Sequence, residues 1–552
     1  MGDSENITNQ SNLFSTAPQT PPEGDKPAPK SVRKPSHPVT AAEMAKRQRE
    51  ISISEFFTKN RHLLGFDNPR KALLTAVKEA VDNALDACEE AQILPRLKVA
   101  ISKTEVEDRF KVVVEDNGPG IVRNQIPRVF GKLLYGSKFH RLKMSRGQQG
   151  IGISAAGMYG HLTTGKPVCV TSRTGRNKPV SYYEITINTQ QNEPQIHKEE
   201  VVQWDVEHGT RVEIEMEGRY IRGRQSVDEY LEQTAIANPH TRIEYANPDG
   251  AQVVFEAATD QLPSEPREIK PHPYGIELGM LIKMLEETKA RNIKSFLTSE
   301  FSRVSPKIAD EILKTARINP TARTSRIARQ EADTLIKVIR ETKLRNPPMD
   351  CISPIGQEQI IAGLKKQIKA DFYTAVSRSP AVYRGNPFLV EAGLAYGGEL
   401  DTEGTVRLLR LANRVPLLHQ QGGCIITQGV SDVSWKAYGM SQHAGSLPVG
   451  PLVLMVHVAS VWVPFTSESK EAIAAYPEIE KEIRLAVQEC GRMLGSHVRR
   501  RRREAEENKK RSYIEKYIPH IGIALKEILD LDDSATENVC STLTCILERS
   551  RG

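Results

Sequence analysis

Residues 78–87, KEAVDNALDA, constrain this chain more than any other stretch. They predict a helix. Asn68 suits its cap and Pro69 its first position. Leu73, Val77, Val81, Leu85 and Cys88 recur at three- and four-residue spacing, as a stripe to be buried. Glu79, Asn83 and Asp86 stand at i, i+4 and i+7 and share another face. A carboxylate above an amide oxygen on a rigid helix points to a polar ligand opposite. A general base has to come within about 3 Å of the water it activates. Magnesium takes hard oxygen ligands and keeps several waters, so one asparagine oxygen plus phosphates can hold it.

Two later segments answer that face. EDNGPGI, at 115–121, follows a strand at 110–114 whose valines are expected to be fully buried. Its Asn-Gly-Pro-Gly run forces a turn. Asp116 can accept a hydrogen bond from an exocyclic amine such as that of adenine, and Gly118 and Gly120 let a flat base approach the backbone. In GQQGIGISAAG, at 147–157, Gly147, Gly150 and Gly152 precede the small-residue helix start Ile153-Ser154-Ala155-Ala156. Such a loop sets backbone N–H groups and a positive dipole end beneath phosphate. It is not a Walker loop, because no Gly-Lys-Ser/Thr ending follows. The basic stretch 131–146, rich in glycine and serine, reads as a lid over the ligand, with Ser137 and Lys138 near phosphate. Gly209-Thr210 falls in a later strand pair, EHGTRVEIEM.

As an ordered set these segments resemble the GHKL ATPases, the superfamily of gyrase, the heat-shock chaperone, histidine kinases and the mismatch-repair ATPase. Within it the chain is similar to the B subunits of DNA topoisomerase VI. KLLYGSKFHRLKMSRGQQGIGISAAGMYG, NRVPLL at 413–418, WKAY at 435–438 and FTSESKEAIA at 465–474 carry that resemblance, which covers residues 55–521. It implies a multidomain α+β chain: a GHKL (Bergerat) ATPase sandwich, a helical helix-two-turn-helix domain, a transducer with a ribosomal-protein-like crossover, and a long C-terminal helix. It implies ATP and Mg²⁺ as cofactors. Glu79 would orient the attacking water and Asn83 would hold the metal. Asp116 and Thr210 would take adenine, and Gly147, Gln148, Gln149, Gly150, Ile151 and Gly152 the phosphates. Lys470, expected at a turn from a strand into a helix, would reach from the transducer to the γ-phosphate. Arg222 and Arg224, in a loop of three arginines around a glycine, and Lys436 would touch DNA. Gln225 stands where the family has a further arginine, which weakens that contact by about one charge.

The implied partners are DNA duplexes, a DNA-cleaving A subunit in an assembly of two A and two B subunits, and a second copy of this chain on ATP binding. The implied location is the cytoplasm, at the nucleoid. A GHKL ATPase of the chaperone or mismatch-repair kind is the alternative, against which the arginine loop, WKAY and the helical middle region speak. A histidine kinase would need a phosphoacceptor histidine on a dimerising helix upstream, where His62 stands in a short segment.

A chain of 552 residues exceeds a single core. The expected divisions are a disordered tail at 1–48, polar and proline-rich; the ATPase domain at 49–263; the helix-two-turn-helix domain at 264–345; the transducer at 346–477; and a partner-binding helix and tail at 478–552. The formal net charge of +7 permits nucleic-acid binding without demanding it. Seven scattered cysteines form no CxxC pair, which suggests neither zinc nor a disulfide framework. The one long apolar run, 452–463, is short for a membrane span and valine-rich, so a central strand is expected there. Residues 97–102, 168–172, 181–187, 199–204 and 210–216 read as strands of the first domain, with a helix at 227–237. Residues 276–289, 293–300, 306–315 and 322–341 read as helices of the second. Strands at 388–396, 406–412 and 423–427, with a helix near 357–370, belong to the third, and a helix over 478–516 opens the last. An amphipathic pattern over 521–547 needs a partner surface.

Overall fold

The computed structural model describes residues 41–46, 48, 50–138, 141–147, 150–467 and 469–549. The chain divides into Met1–Glu50 and Ile51–Gly552. The first unit contributes α1 (Ala41–Ala45), a short helix inside the segment expected to be disordered; residues 1–40 lie outside the described residues.

In the second unit, the N-terminal part sets α2 (Ile53–Lys59), α3 (Pro69–Glu90), α4 (Ile126–Gly131), α5 (Gly152–Thr164) and α6 (Val227–Ala237) against an eight-stranded sheet. Its strands are β1 (Arg96–Lys103), β2 (Arg109–Asp116), β3 (Val168–Arg173), β4 (Val180–Asn188), β5 (Glu193–Val202), β6 (Gly209–Glu217), β7 (Arg242–Ala246) and β8 (Gln252–Phe255). The order is β5-β4-β3-β6-β2-β1-β7-β8, antiparallel except for β1 beside β7. The Asn68 side chain accepts the Lys71 N–H at 2.9 Å, capping α3 as expected. The whole predicted stripe of α3, from Leu73 to Cys88, is buried. The valines of β2 correct the reading of a fully buried run: Phe110, Val112 and Val114 face the helices, whereas Val113 is half-buried on the opposite face. An antiparallel sheet covered on one side buries every second residue. β5 starts six residues before its predicted start, and β7 and β8 were not foreseen.

Four helices follow: α7 (Leu278–Glu287), α8 (Ile293–Glu300), α9 (Pro306–Ala316) and α10 (Arg329–Glu341). Leu281, Phe296, Ile312 and Leu335 meet in their core. α10 begins seven residues later than its pattern suggests. The Ala322 carbonyl accepts the Ile293 N–H at 2.9 Å, and only at Ala328, whose N–H donates to Glu331 Oε2 at 2.8 Å, does the chain enter the helix.

The next part begins with α11 (Gln357–Gln367) and carries β9 (Phe372–Ser377), β10 (Ala381–Tyr383), β11 (Asn386–Tyr396), β12 (Arg407–Ala412), β13 (Val415–Pro416), the short pair β14 (Ser441–Gln442) and β15 (Pro448–Val449), and β16 (Leu452–Ser460). β16 is fully buried between β11 and β12, so the apolar run is indeed a central strand. Among the described residues, no helix is long and apolar enough to cross a membrane. The strand expected at 423–427 is instead a turn followed by α12 (Ile425–Ser431). Its β-branched run reads as a strand, but Ile425, Ile426, Gly429 and Val430 are buried at helical spacing, so packing overrides propensity. α11 lies so close to the end of α6 that a Cβ at Gly363 would strike the Ile236 carbonyl. This contact joins the first sheet's layer to the second.

α13 (Pro477–Leu529) runs past the expected end at 516 and tolerates Pro519 in its interior. α14 (Asp533–Arg549) folds back on it, with Cys540 against Gly522. Ile523, Ile528, Leu529 and Ile546 stay exposed.

Candidate active site

The three short segments converge. Glu79, Asn83, Asp116, Gly120, Ser137, Lys138, Gly147, Gly150, Ile151, Gly152, Thr210 and Lys470 all line one cavity of about 590 Å³. Gln148 and Gln149 lie outside the described residues. Gly118 stands just behind the wall: its N–H donates to Asp116 Oδ1 at 2.8 Å, and its carbonyl pairs with His208 Nδ1 at 2.8 Å.

The end around Asp116 fits an adenine. The Thr210 N–H donates to the same Oδ1 at 3.2 Å, while Oδ2 takes no hydrogen bond among the described residues. Burial pushes the Asp116 carboxyl up to about 6, against the two N–H donors that favour the charged form. An amine donor on Oδ2 would complete the set. Close backbone packing requires the glycines here: Gly120 has φ +72°, and a Cβ on it would strike the Arg173 carbonyl.

The opposite end fits phosphate and metal. Gly150 has φ +56°, and α5 starts two residues later, so its first N–H groups open toward the cavity. A Cβ at Gly152 would overlap the Glu79 carboxylate, which therefore rests on the start of α5. Asn83 Oδ1 faces Gly147 and accepts no hydrogen bond among the described residues. An oxygen so placed suits a hard cation that shares its shell with phosphates and water.

Lys470 arrives from the other domain. It is buried, its Nζ lies 4.0 Å from Glu79 Oε1, and it donates to the Arg146 carbonyl at 3.4 Å. One expectation about it is corrected. Lys470 has φ +52°, and Phe465 bridges Ile473 across the loop, so the strand returns on itself and, among the described residues, no helix begins until Pro477. The reversal aims the side chain into the cavity. Beside it, Glu471 pairs with Lys71 of α3 at 2.5 Å.

Lys138, in the stretch expected to form a lid, is held by an ion pair to Asp86. Burial alone would raise the Asp86 pKa, but Lys138 and Arg146 outweigh it and keep the carboxyl below its ordinary range. Asp86 thus faces the stretch leading into Gly147 rather than the cavity. The sequence placed it on the right helix face but gave it no task, because its partners lie 52 and 60 residues away. Lys78 and His419 also line the cavity and were not foreseen. NRVPLL carries His419 on its heels, but nothing local marks a histidine as facing another domain.

The expected DNA-contacting residues lie outside the cavity. Arg222 and Arg224 are exposed on either side of Gly223 (φ +89°), with Arg222 3.1 Å from Asp249. Lys436 projects from a turn over Trp435–Tyr438. Trp435 is fully buried and donates to the Val430 carbonyl at 2.9 Å, and the Tyr438 ring lies against Gly491 of α13. The turn is anchored at both aromatics, leaving the lysine on the surface.

Residues 68–219 match the family described as histidine kinase-, DNA gyrase B- and HSP90-like ATPases. Residues 347–510 match the transducer of the topoisomerase VI B subunit. The B subunit of type 2 DNA topoisomerase 6 from Methanosarcina acetivorans is 51% identical over 89% of this chain and 79% of its own length. That from Archaeoglobus fulgidus is 50% identical over 92% and 84%. Among solved structures, the 43K ATPase domain of Thermus thermophilus gyrase B in complex with an aminocoumarin is 12% identical, with a TM-score of 0.37 over 83% of this chain and 98% of that one. The cavity around Glu79, Asn83 and Asp116 and the transducer that sends Lys470 into it thus stand in one chain, and that chain belongs to the family of type 2 DNA topoisomerase 6 B subunits.

Proposed function

We propose that this chain is the ATP-driven clamp of a type II DNA topoisomerase. One observation carries the reading: a transducer lysine, Lys470, shares a cavity with Glu79 and Asn83 of the ATPase domain. In this reading the adenine sits on Asp116 and Thr210, and the phosphates sit over Gly147, Gly150, Ile151 and Gly152, under Ser137 and Lys138 of the lid. Asn83 would hold Mg²⁺, which when bound neutralises phosphate charge. Glu79 orients the attacking water and draws its proton. Phosphoryl transfer needs positioning and charge neutralisation more than covalent chemistry, and these residues supply both. Lys470 reads the γ-phosphate, so the nucleotide state becomes an angle between ATPase domain and transducer, a hinge-type switch.

Two copies closing on ATP would trap one duplex while an A subunit cuts another, in an assembly of two A and two B subunits. The exposed apolar residues of α13 and α14 offer that partner a surface. The workplace of such an assembly is the cytoplasm, with the nucleoid. The division of the chain into 1–48, 49–263, 264–345, 346–477 and 478–552 is part of the same proposal; separate buried cores in the ATPase, helical and transducer parts support it. The test is decatenation of linked DNA circles by this chain with its cognate A subunit. Activity that requires both proteins and ATP is expected, and decatenation without ATP would overturn the clamp.

The DNA contacts are a separate matter. Arg222 and Arg224 are proposed to meet backbone phosphate, as is Lys436. Reversing the charge at both arginines should weaken DNA binding and lower the slope of affinity against salt by about one for each phosphate no longer neutralised. An unchanged slope in a salt titration would assign the loop to solvent.

A further inference from the structure

Behind the phosphate loop lies a buried ionic cluster to which the clamp mechanism gives no work. Its entry point is the turn between β12 and β13. Ala412 pairs with Val415, so the two strands are joined by Asn413 and Arg414 alone. Both have left-handed backbone, with φ +48° and +68°. A two-residue hairpin with this twist favours glycine at its second position, and arginine there is strained. Strain of that kind persists where the side chain is needed.

Both side chains are buried, and both reach toward the ATPase domain. Asn413 Nδ2 donates to the Ser145 carbonyl at 2.9 Å and to the Ser460 carbonyl at 2.9 Å, and its Oδ1 accepts the Ser460 N–H at 2.9 Å. Arg414 Nη2 donates to Ser353 Oγ at 3.2 Å and to the Pro354 carbonyl at 2.9 Å, while Nη1 stands 3.9 Å from Glu89. Glu89 accepts both Nη groups of Arg146, at 2.6 and 2.8 Å, and meets His240 at 2.8 Å. Arg146 also donates to Asp86 at 2.9 Å, and Asp86 accepts the Gly147 N–H at 3.5 Å.

Three consecutive residues leading into the phosphate loop are therefore held from outside the loop. Asn413 holds the Ser145 carbonyl, Lys470 holds the Arg146 carbonyl, and Asp86 holds the Gly147 N–H. The first two donors belong to the transducer. A shift of the transducer therefore acts directly on the Ser145 carbonyl even where Lys470 keeps its place on the Arg146 carbonyl, and reaches Gly147 through the chain between them.

We propose that the Asn413-Arg414 turn is a second positioning element, acting beside Lys470, through which the transducer sets the conformation of residues 145–147 and so the affinity of the phosphate loop for nucleotide. The proposal rests on the cavity being the ATP site. By reciprocity, nucleotide binding strengthens the transducer's grip on the same residues.

Arg414→Gly is the discriminating variant, because glycine relieves the turn while removing the guanidinium. In the full chain assembled with its A subunit, equilibrium binding of a non-hydrolysable ATP mimic is expected to weaken by about tenfold, within the usual range of coupling between sites. The unfolding midpoint without nucleotide should stay within a few degrees of that of the unaltered protein. A residue needed only to shape the hairpin would leave binding unmoved, so unaltered affinity overturns the proposal. If Arg414→Gly instead lowers the midpoint by ten degrees or more, Arg414→Lys takes its place: it keeps the charge but cannot span Glu89 and the 353–354 backbone together. Weakened binding by the lysine variant supports the proposal, and unaltered binding overturns it. Failure of the unaltered protein to bind the mimic would instead remove the ATP-site reading itself.

Discussion

Glu79→Ala is expected to leave ATP bound and to slow its hydrolysis by about a hundredfold or more, the cost of losing a positioned general base. The geometry separates the two effects. The end of the cavity at Asp116 and Thr210, where adenine is proposed to sit, makes no use of Glu79. The carboxylate instead rests on the start of α5 and points its Oε1 toward Lys470. Truncation leaves the cradle of backbone N–H groups in place and removes only the acceptor for the water's proton. Glu79→Gln, which keeps the shape and the packing on Gly152, should be nearly as slow. Steady-state hydrolysis measured beside equilibrium nucleotide binding checks both statements. Turnover at the unaltered rate would strip Glu79 of the role.

Lys470→Ala has the second-largest expected effect, and on a different quantity. It should uncouple nucleotide from strand passage, lowering ATP-dependent relaxation about tenfold or more per ATP hydrolysed, as loss of a typical coupling free energy implies. Lys470 is buried and touches two things that belong to the ATPase domain, the Arg146 carbonyl and the Glu79 carboxylate. Its backbone is left-handed, which alanine tolerates no better than lysine. Lys470→Gly is the natural companion, since it removes the same side chain and eases the turn. If both variants relax DNA as the unaltered protein does with its A subunit, Lys470 is no switch. If only the alanine variant fails, strain in the loop is responsible rather than the lost amine.

Much of this molecule was written locally. The cap at Asn68, the proline after it and the stripe from Leu73 to Cys88 predict the start and the buried face of α3, because helix start signals and apolar spacing act within a few turns. The glycines at 147, 150 and 152 announce a loop opening on a helix for the same reason, and α5 begins at Gly152. The resemblance then assembled these segments into one site, which spacing alone could not have done.

The errors share a cause as well. Residues 423–427 have the composition of a strand yet turn into α12, because Ile425 and Ile426 find their burial against α13 and the transducer sheet. Val113 is half exposed because β2 has neighbours on one face only. Lys470 does not precede a helix, because Ile473 pairs back to Phe465. In each case the deciding interaction lies across a turn, a sheet or a domain boundary.

What the sequence settled by itself is the family, the helix that carries Glu79 and Asn83, and the kinds of atom available to the proposed adenine, phosphate and metal. What only the tertiary structure decided is which distant parts of the chain meet: Lys470 beside Glu79, Glu471 on Lys71, Asn413 on the Ser145 carbonyl and Arg146 between Asp86 and Glu89. Helix and loop signals arise from interactions between residues a few positions apart. These pairings join residues tens to hundreds of positions apart, and those that cross to the transducer form only when burial of apolar faces brings the two sheets together.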